Sequence, residues 1–214
     1  MKRTIIITAA VAMLALPAVP LAQPEPKNIT ITPNTATVKF GGAVTLSGKL
    51  TGQNNSGRTV IVEKDQFPID SFANLGTTQT NATGDWTFSD KPAANTRYRA
   101  RSGNAESKTV DVMVRPAISL TLSDRTPAVG QRVRFFGRLC PEHDGTSVAL
   151  QRRVAPNQWR TVKTTVLKDV TGETCSSYST RRRVRRDSVY RVHFNGDADH
   201  VAGNSRARRV DAHR

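Results

Sequence analysis

Four histidines, two cysteines and one run of arginines are the residues of this chain whose chemistry could amount to a site. His143 lies between Glu142 and Asp144, and His200 follows Asp197 and Asp199; His193 and His213 complete the set. Two imidazoles with two carboxylates are a donor set that Zn²⁺ accepts. The spacings match no ligand signature, so the sequence assigns no metal and no cofactor, and favours His143 or His200 as a ring hydrogen-bonded to a loop. Asn195-Gly196-Asp197-Ala198-Asp199 lacks the residue order and the later bidentate Glu of a Ca²⁺ loop, and reads as a turn between the last two strands. No Ser/His/Asp set, paired-carboxylate motif or phosphate-cradling glycine loop is present, so no catalytic residue is assigned and the chain reads as non-enzymatic.

The most distinctive stretch is Thr180-Arg181-Arg182-Arg183-Val184-Arg185-Arg186-Asp187. As a strand it would project Arg181, Arg183 and Arg185 from one face and Val184 from the other. Guanidinium groups bind phosphate and carboxylate bidentately, which makes the three arginines a candidate anion-binding set. The competing reading is a solvated, self-repelling face that discourages strands from pairing edge to edge. Charge elsewhere agrees with an anionic partner without proving one. Residues 23–115 hold 11 Lys+Arg against 8 Asp+Glu, and residues 116–214 hold 19 against 9, within a total of +15. Nucleic acid is the poorer partner, because no aromatic residues are interleaved with the arginines.

Cys140 and Cys175 are the chain's two cysteines. Their chemistry depends on where the protein resides. Residues 1–22 carry a basic start, Met1-Lys2-Arg3, then a charge-free run from Ile5 to Leu16 and small residues at Ala18 and Ala22. That run is too short to span a bilayer and has the form of a secretory signal peptide. No later segment is apolar enough to cross a membrane. In an exported chain two cysteines read as one disulfide, closing a loop of about 36 residues worth roughly 3–4 kcal/mol of chain entropy. Two free buried thiols are the alternative.

The elements that position these residues come from a repeat. Phe40-Gly41-Gly42-Ala43-Val44-Thr45-Leu46-Ser47-Gly48-Lys49-Leu50 returns 89 residues later as Val129-Gly130-Gln131-Arg132-Val133-Arg134-Phe135-Phe136-Gly137-Arg138-Leu139. Each copy is a glycine turn, then apolar residues at alternate positions, then a glycine and a basic residue before Leu: a half-buried strand entered through a tight turn. Similar segments follow at Thr59–Glu63, Trp86–Phe88, Thr96–Arg101 and Thr109–Val114, and again at Val189–Phe194. No window has helical periodicity. The expected fold is all-β, with a Pro-rich leader at 23–26, one sandwich domain over 27–115 and a basic one over 116–214, joined by the short linker Arg115-Pro116-Ala117. Tyr98 and Tyr190, near the start of a late strand in each copy, are candidates for a tyrosine corner bonded to backbone, or for packed rings with wet hydroxyls.

Val44–Leu50, Gly84-Asp85-Trp86-Thr87-Phe88 and Asn95-Thr96-Arg97-Tyr98-Arg99-Ala100 resemble the Ig-like repeats of secreted and cell-surface bacterial proteins. The second copy resembles a variant found in exported actinobacterial proteins, through Cys140-Pro141-Glu142-His143-Asp144-Gly145, Leu150-Gln151-Arg152-Arg153, Trp159-Arg160-Thr161-Val162, Tyr190-Arg191-Val192, and Asp199-His200 with Gly203-Asn204-Ser205. The resemblance implies an Ig-like fold and brings no catalytic residues with it. Two roles follow: a secreted or envelope-bound module contacting an anionic cell-envelope polymer, or an accessory or inhibitor protein docking another secreted protein through its loops. The oligomeric state is left open.

Overall fold

The computed structural model describes residues 28–214; the signal and leader expected at 1–22 and 23–26, with Lys27, lie outside the described residues. The first ten strands are β1 (Asn28–Ile29), β2 (Thr32–Pro33), β3 (Thr37–Lys39), β4 (Val44–Thr51) and β5 (Thr59–Gln66), then β6 (Ala73–Gln79), β7 (Asp85–Asp90), β8 (Thr96–Ser102), β9 (Ala105–Glu106) and β10 (Val110–Arg115). β1 and β2 lie antiparallel along one edge of β4, and β7 pairs with its other edge. The chain then changes sheets: β3 runs parallel to β10, which continues the order β3-β10-β8-β5-β6. The inward residues of the two sheets meet in one core, Val44, Leu46 and Leu50 from the first facing Val60, Val62, Tyr98 and Val112 from the second. Each such aliphatic side chain contributes roughly 1.5–3 kcal/mol on full burial.

The second half repeats the plan with β11 (Ala117–Ile118), β12 (Thr121–Leu122), β13 (Arg132–Cys140), β14 (Ser147–Ala155) and β15 (Gln158–Val166), followed by β16 (Ser176–Arg183), β17 (Ser188–Gly196), β18 (Val201–Asn204) and β19 (Arg208–Val210). β11, β12 and β16 flank β13, while β15, β14, β17 and β18 form the facing sheet, with β19 also on β17. Its core shares no residue with the first. Over the described residues the chain is all-β, two Ig-like sandwiches in tandem. Among the described residues no helix is long and apolar enough to cross a membrane.

The two copies of the repeated stretch are β4 and β13, and their glycines explain why it is repeated. Gly41 and Gly130 hold φ of +82° and +91°, a turn conformation that side chains resist. Gly48 and Gly137 are tight for another reason. A Cβ on Gly48 would lie 1.8 Å from the Thr30 carbonyl oxygen, and one on Gly137 would lie 2.2 Å from that of Ser119. The break between the first two strands of each sandwich, at Thr30 or Ser119, passes β4 or β13 at a distance only glycine permits.

Two departures from the sequence reading bear on the site and its sheet neighbours. β6 was not among the expected strands, because this edge strand, Ala73–Gln79, has no alternation of buried and exposed residues. β16 ends at Arg183, so Arg185 is not on it. Val184 is fully buried in the core, on the face away from the exposed arginines as expected, and its N–H donates to the carbonyl of Gln131, just before β13.

Cys140 and Cys175 are joined, with Cα atoms 4.3 Å apart. Leu139 pairs with Ser176, so the bridge links the ends of two neighbouring strands in one sheet. In antibody domains the disulfide instead ties one sheet to the other.

Candidate anion-binding site

The geometry of the site is clearest from its counterpart in the first sandwich. There Val44 pairs with Asp90, and Lys64 pairs with Tyr98. The Tyr98 hydroxyl donates to Asp90 Oδ2 at 2.7 Å, and Lys64 Nζ stands 3.6 Å from the same oxygen. A partly buried carboxylate thus closes the corner between the sheets, neutralised by one cation and one hydroxyl. Burial, reinforced by the Asp90 hydrogen bond and charge, pushes the Tyr98 hydroxyl well above the usual phenol range. The hydroxyl thus bonds a side chain where the sequence reading expected a backbone group, so the tyrosine corner is not made in the expected form.

In the second sandwich the same register holds with the opposite charge. Arg152 pairs with Tyr190, as Lys64 does with Tyr98. Val133, four residues before Gly137 as Val44 is before Gly48, pairs with Arg182. Arg182 therefore occupies the place of Asp90. It points between the sheets and donates from Nη1 to the Val162 carbonyl at 2.9 Å. Tyr190 is buried, and among the described residues its hydroxyl makes no hydrogen bond, so the corner expected there is not made.

Around this corner opens a cleft of about 580 Å³, lined by Arg152, Arg182, Arg183, Arg185 and Arg186 with Ser188 and Tyr190. Arg183 bonds the Gly130 carbonyl, and Arg152 Nε is buried without a hydrogen-bond partner among the described residues. Among the described residues none of the five arginines has a carboxylate within ion-pair distance. Arginines of the first sandwich differ sharply: Arg97 pairs with Asp111, and Arg99 and Arg101 both pair with Glu63 and Glu106. Of the three arginines expected to act together, Arg183 and Arg185 line the cleft. Arg181 does not; it is exposed on the same face of β16 as Arg183, one pair further along the strand and opposite Arg134. Arg152, Arg182 and Arg186 were missed. The alignment of Arg152 with Lys64 and of Arg182 with Asp90 was the signal that could have found them.

A second constellation sits at the junction of the sandwiches. The His143 and His200 rings lie 4.8 Å apart, edge to face, against Asp197 and Asp199 of the turn between β17 and β18. Both rings bond loops, as expected: His143 Nδ1 lies 2.9 Å from the Pro141 carbonyl, and His200 Nε2 lies 2.8 Å from that of Ala93 in the first sandwich. Burial, aided by the neighbouring Asp199, raises the Asp197 carboxyl above its ordinary range. For Asp199 burial acts in the same direction, but its bond with Asp197 and the two histidines outweigh it and lower the carboxyl. Asn95 completes the junction, its N–H donating to the Asp199 carbonyl at 2.8 Å and its side-chain amide to that of Ala198 at 3.2 Å.

No protein-family model and no curated protein matches the chain. Among solved structures it is similar to the polymeric Ig receptor (pIgR) ectodomain of a teleost fish, at 9% identity and a TM-score of 0.35, over 86% of this chain and 97% of that one.

Proposed function

We propose that the protein is an exported, non-catalytic binding module whose second sandwich holds an anionic group of a cell-envelope polymer in the arginine cleft. One observation carries this reading: Arg182 stands where the first sandwich has Asp90, so the corner formed by Arg152 and Tyr190 lacks its internal carboxylate. A phosphate or carboxylate entering from outside would take that place. Unpaired guanidiniums gathered in a cleft focus a positive potential, and their planar forks suit both groups. The cleft offers no chemistry beyond binding, since Ser188 donates to the Arg186 carbonyl and has no base beside it. Export is supported by the disulfide, which persists in oxidising compartments, and by the resemblance to exported actinobacterial Ig-like repeats.

The test uses retention on immobilised polyphosphate and polygalacturonate as sodium chloride rises. A variant with Arg152, Arg182 and Arg185 replaced by Gln is compared with one in which the exposed Arg125, Arg206 and Arg214 are replaced by Gln. Both lose three charges, so a net-charge effect treats them alike. The cleft variant is expected to elute far earlier, its log–log salt slope on polyphosphate flatter by about 0.7–0.9 per lost contact if the polymer behaves as a single strand or duplex does. Equal elution of the two variants rejects the cleft as the site.

A further inference from the structure

We propose that His143, Asp197, Asp199 and His200 form a divalent-cation site of the zinc class that fixes the junction between the two sandwiches. His143 Nδ1 and His200 Nε2 each face a backbone carbonyl, which only an N–H satisfies, so the lone pairs of a neutral ring fall on His143 Nε2 and His200 Nδ1. Those two nitrogens face the carboxylates. His143 Nε2 is 3.3 Å from Asp197 Oδ2 and 3.8 Å from Asp199 Oδ1, and His200 Nδ1 is 3.2 Å from Asp199 Oδ2. A lone pair set against a carboxylate oxygen at that range is repulsive unless a cation lies between them.

That cation could be a proton on each ring, but the geometry argues against it. Both nitrogens are buried, in side chains only 4% and 2% exposed, and neither makes a hydrogen bond despite the short separations. A proton there would not point at an oxygen. A metal ion is held by convergence rather than by an N–H direction. With Zn–N and Zn–O distances of about 2.0–2.1 Å, the edge of a tetrahedral ligand shell is about 3.3–3.4 Å. The observed separations fall around that edge, and one donor atom from each of the four residues lies within 4.8 Å of the others. Two carboxylates balance the charge of a divalent ion, which a buried site requires. Two imidazole nitrogens favour zinc over the oxygen-seeking calcium and magnesium.

The surroundings are built to hold these ligands. The Pro141 and Ala93 carbonyls fix the ring orientations from behind, as outer-shell partners do in metal sites. The disulfide and the bond from His143 N–H to Ser176 Oγ at 2.7 Å tether the loop that carries His143. Asp197 Oδ1 accepts the His200 N–H at 3.0 Å. Because the His200 ring and the Asp199 backbone also bond the first sandwich, an ion bound here would hold both sandwiches through one turn.

The test takes the untagged chain, stripped with a chelator, and titrates it calorimetrically with Zn²⁺ and separately with Ca²⁺. Co²⁺ binding is followed by the visible absorption of a tetrahedral ion. We expect one Zn²⁺ per chain, a tetrahedral Co²⁺ spectrum, no comparable Ca²⁺ binding, and a higher melting temperature with Zn²⁺. His143→Gln and Asp197→Asn should each weaken Zn²⁺ binding by more than about tenfold, a loss that outer-shell changes alone can reach. His193→Gln with His213→Gln should leave it unchanged. Should His143→Gln misfold, Asp197→Asn carries the test, since its amide oxygen keeps the bond to the His200 N–H. Absence of stoichiometric Zn²⁺, Ca²⁺ binding as tight as Zn²⁺, or binding that survives Asp197→Asn and disappears without His193 and His213 would each overturn the site.

Discussion

Removing one hydroxyl from each sandwich tests the charge-reversed corner from the stability side. In the first, Tyr98→Phe deletes a 2.7 Å donation to Asp90 while the ring, fully buried, stays packed. A hydrogen bond to a charged group contributes roughly 1.5–3 kcal/mol. Asp90 keeps Lys64 at 3.6 Å and its side chain is 13% exposed, so part of the loss is recovered and the expected destabilisation is the lower end, about 1.5 kcal/mol. In the second, Tyr190→Phe removes a hydroxyl with no acceptor, and its expected effect is below about 0.5 kcal/mol. For domains of this size a urea dependence of about 1 kcal/mol per molar turns the first value into a midpoint shift near 1.5 M. Hydrogen exchange followed peptide by peptide in rising urea gives each sandwich its own midpoint. An equal shift from the two substitutions, or a larger one from Tyr190→Phe, would refute the claim that the corners differ in charge.

Gly48→Ala forces a Cβ to within 1.8 Å of a backbone oxygen that cannot swing aside, and should destabilise the first sandwich by about 3 kcal/mol. Gly203→Ala, whose Cβ would meet its neighbours at 3.5–3.6 Å, should shift a thermal melt by the equivalent of no more than about 0.5 kcal/mol. Replacing Cys140 and Cys175 together by Ala should lower the stability of the second sandwich by roughly 3–4 kcal/mol, with exchange in β8 unchanged.

How legible each feature was depended on how local its cause is. The repeat could be read because a turn glycine, alternating apolar residues and a contact glycine all lie within one strand. β6 could not, since an edge strand buries little on either face and leaves no period in its composition. The alternation read through Arg181, Arg183 and Val184 holds in the burial, Val184 inward and the arginines exposed, but β16 itself stops at Arg183, and where a strand ends is set by its partner and not by its own period. The arginine cleft draws on β14, β16, β17 and the loop before β17, so it emerges only when cross-strand register is known. The same holds for the junction. His143 and His200 lie 57 positions apart in the sequence, and no ligand spacing can announce a set that two loops assemble by packing.

The position of the disulfide also decides how the chain would respond to mechanical load. Tension entering through β11 and leaving through β19 can peel the second sandwich open, yet the residues between Cys140 and Cys175 carry none of it. With a separation of 35 residues and about 3.4 Å of contour for each, roughly 120 Å of chain, including all of β14 and β15, stays out of reach of the pull. The first sandwich contains no cysteine and can pay out its full length. A force-bearing tandem of this kind has one freely extensible link and one leashed link, and a reductant would convert the second into the first.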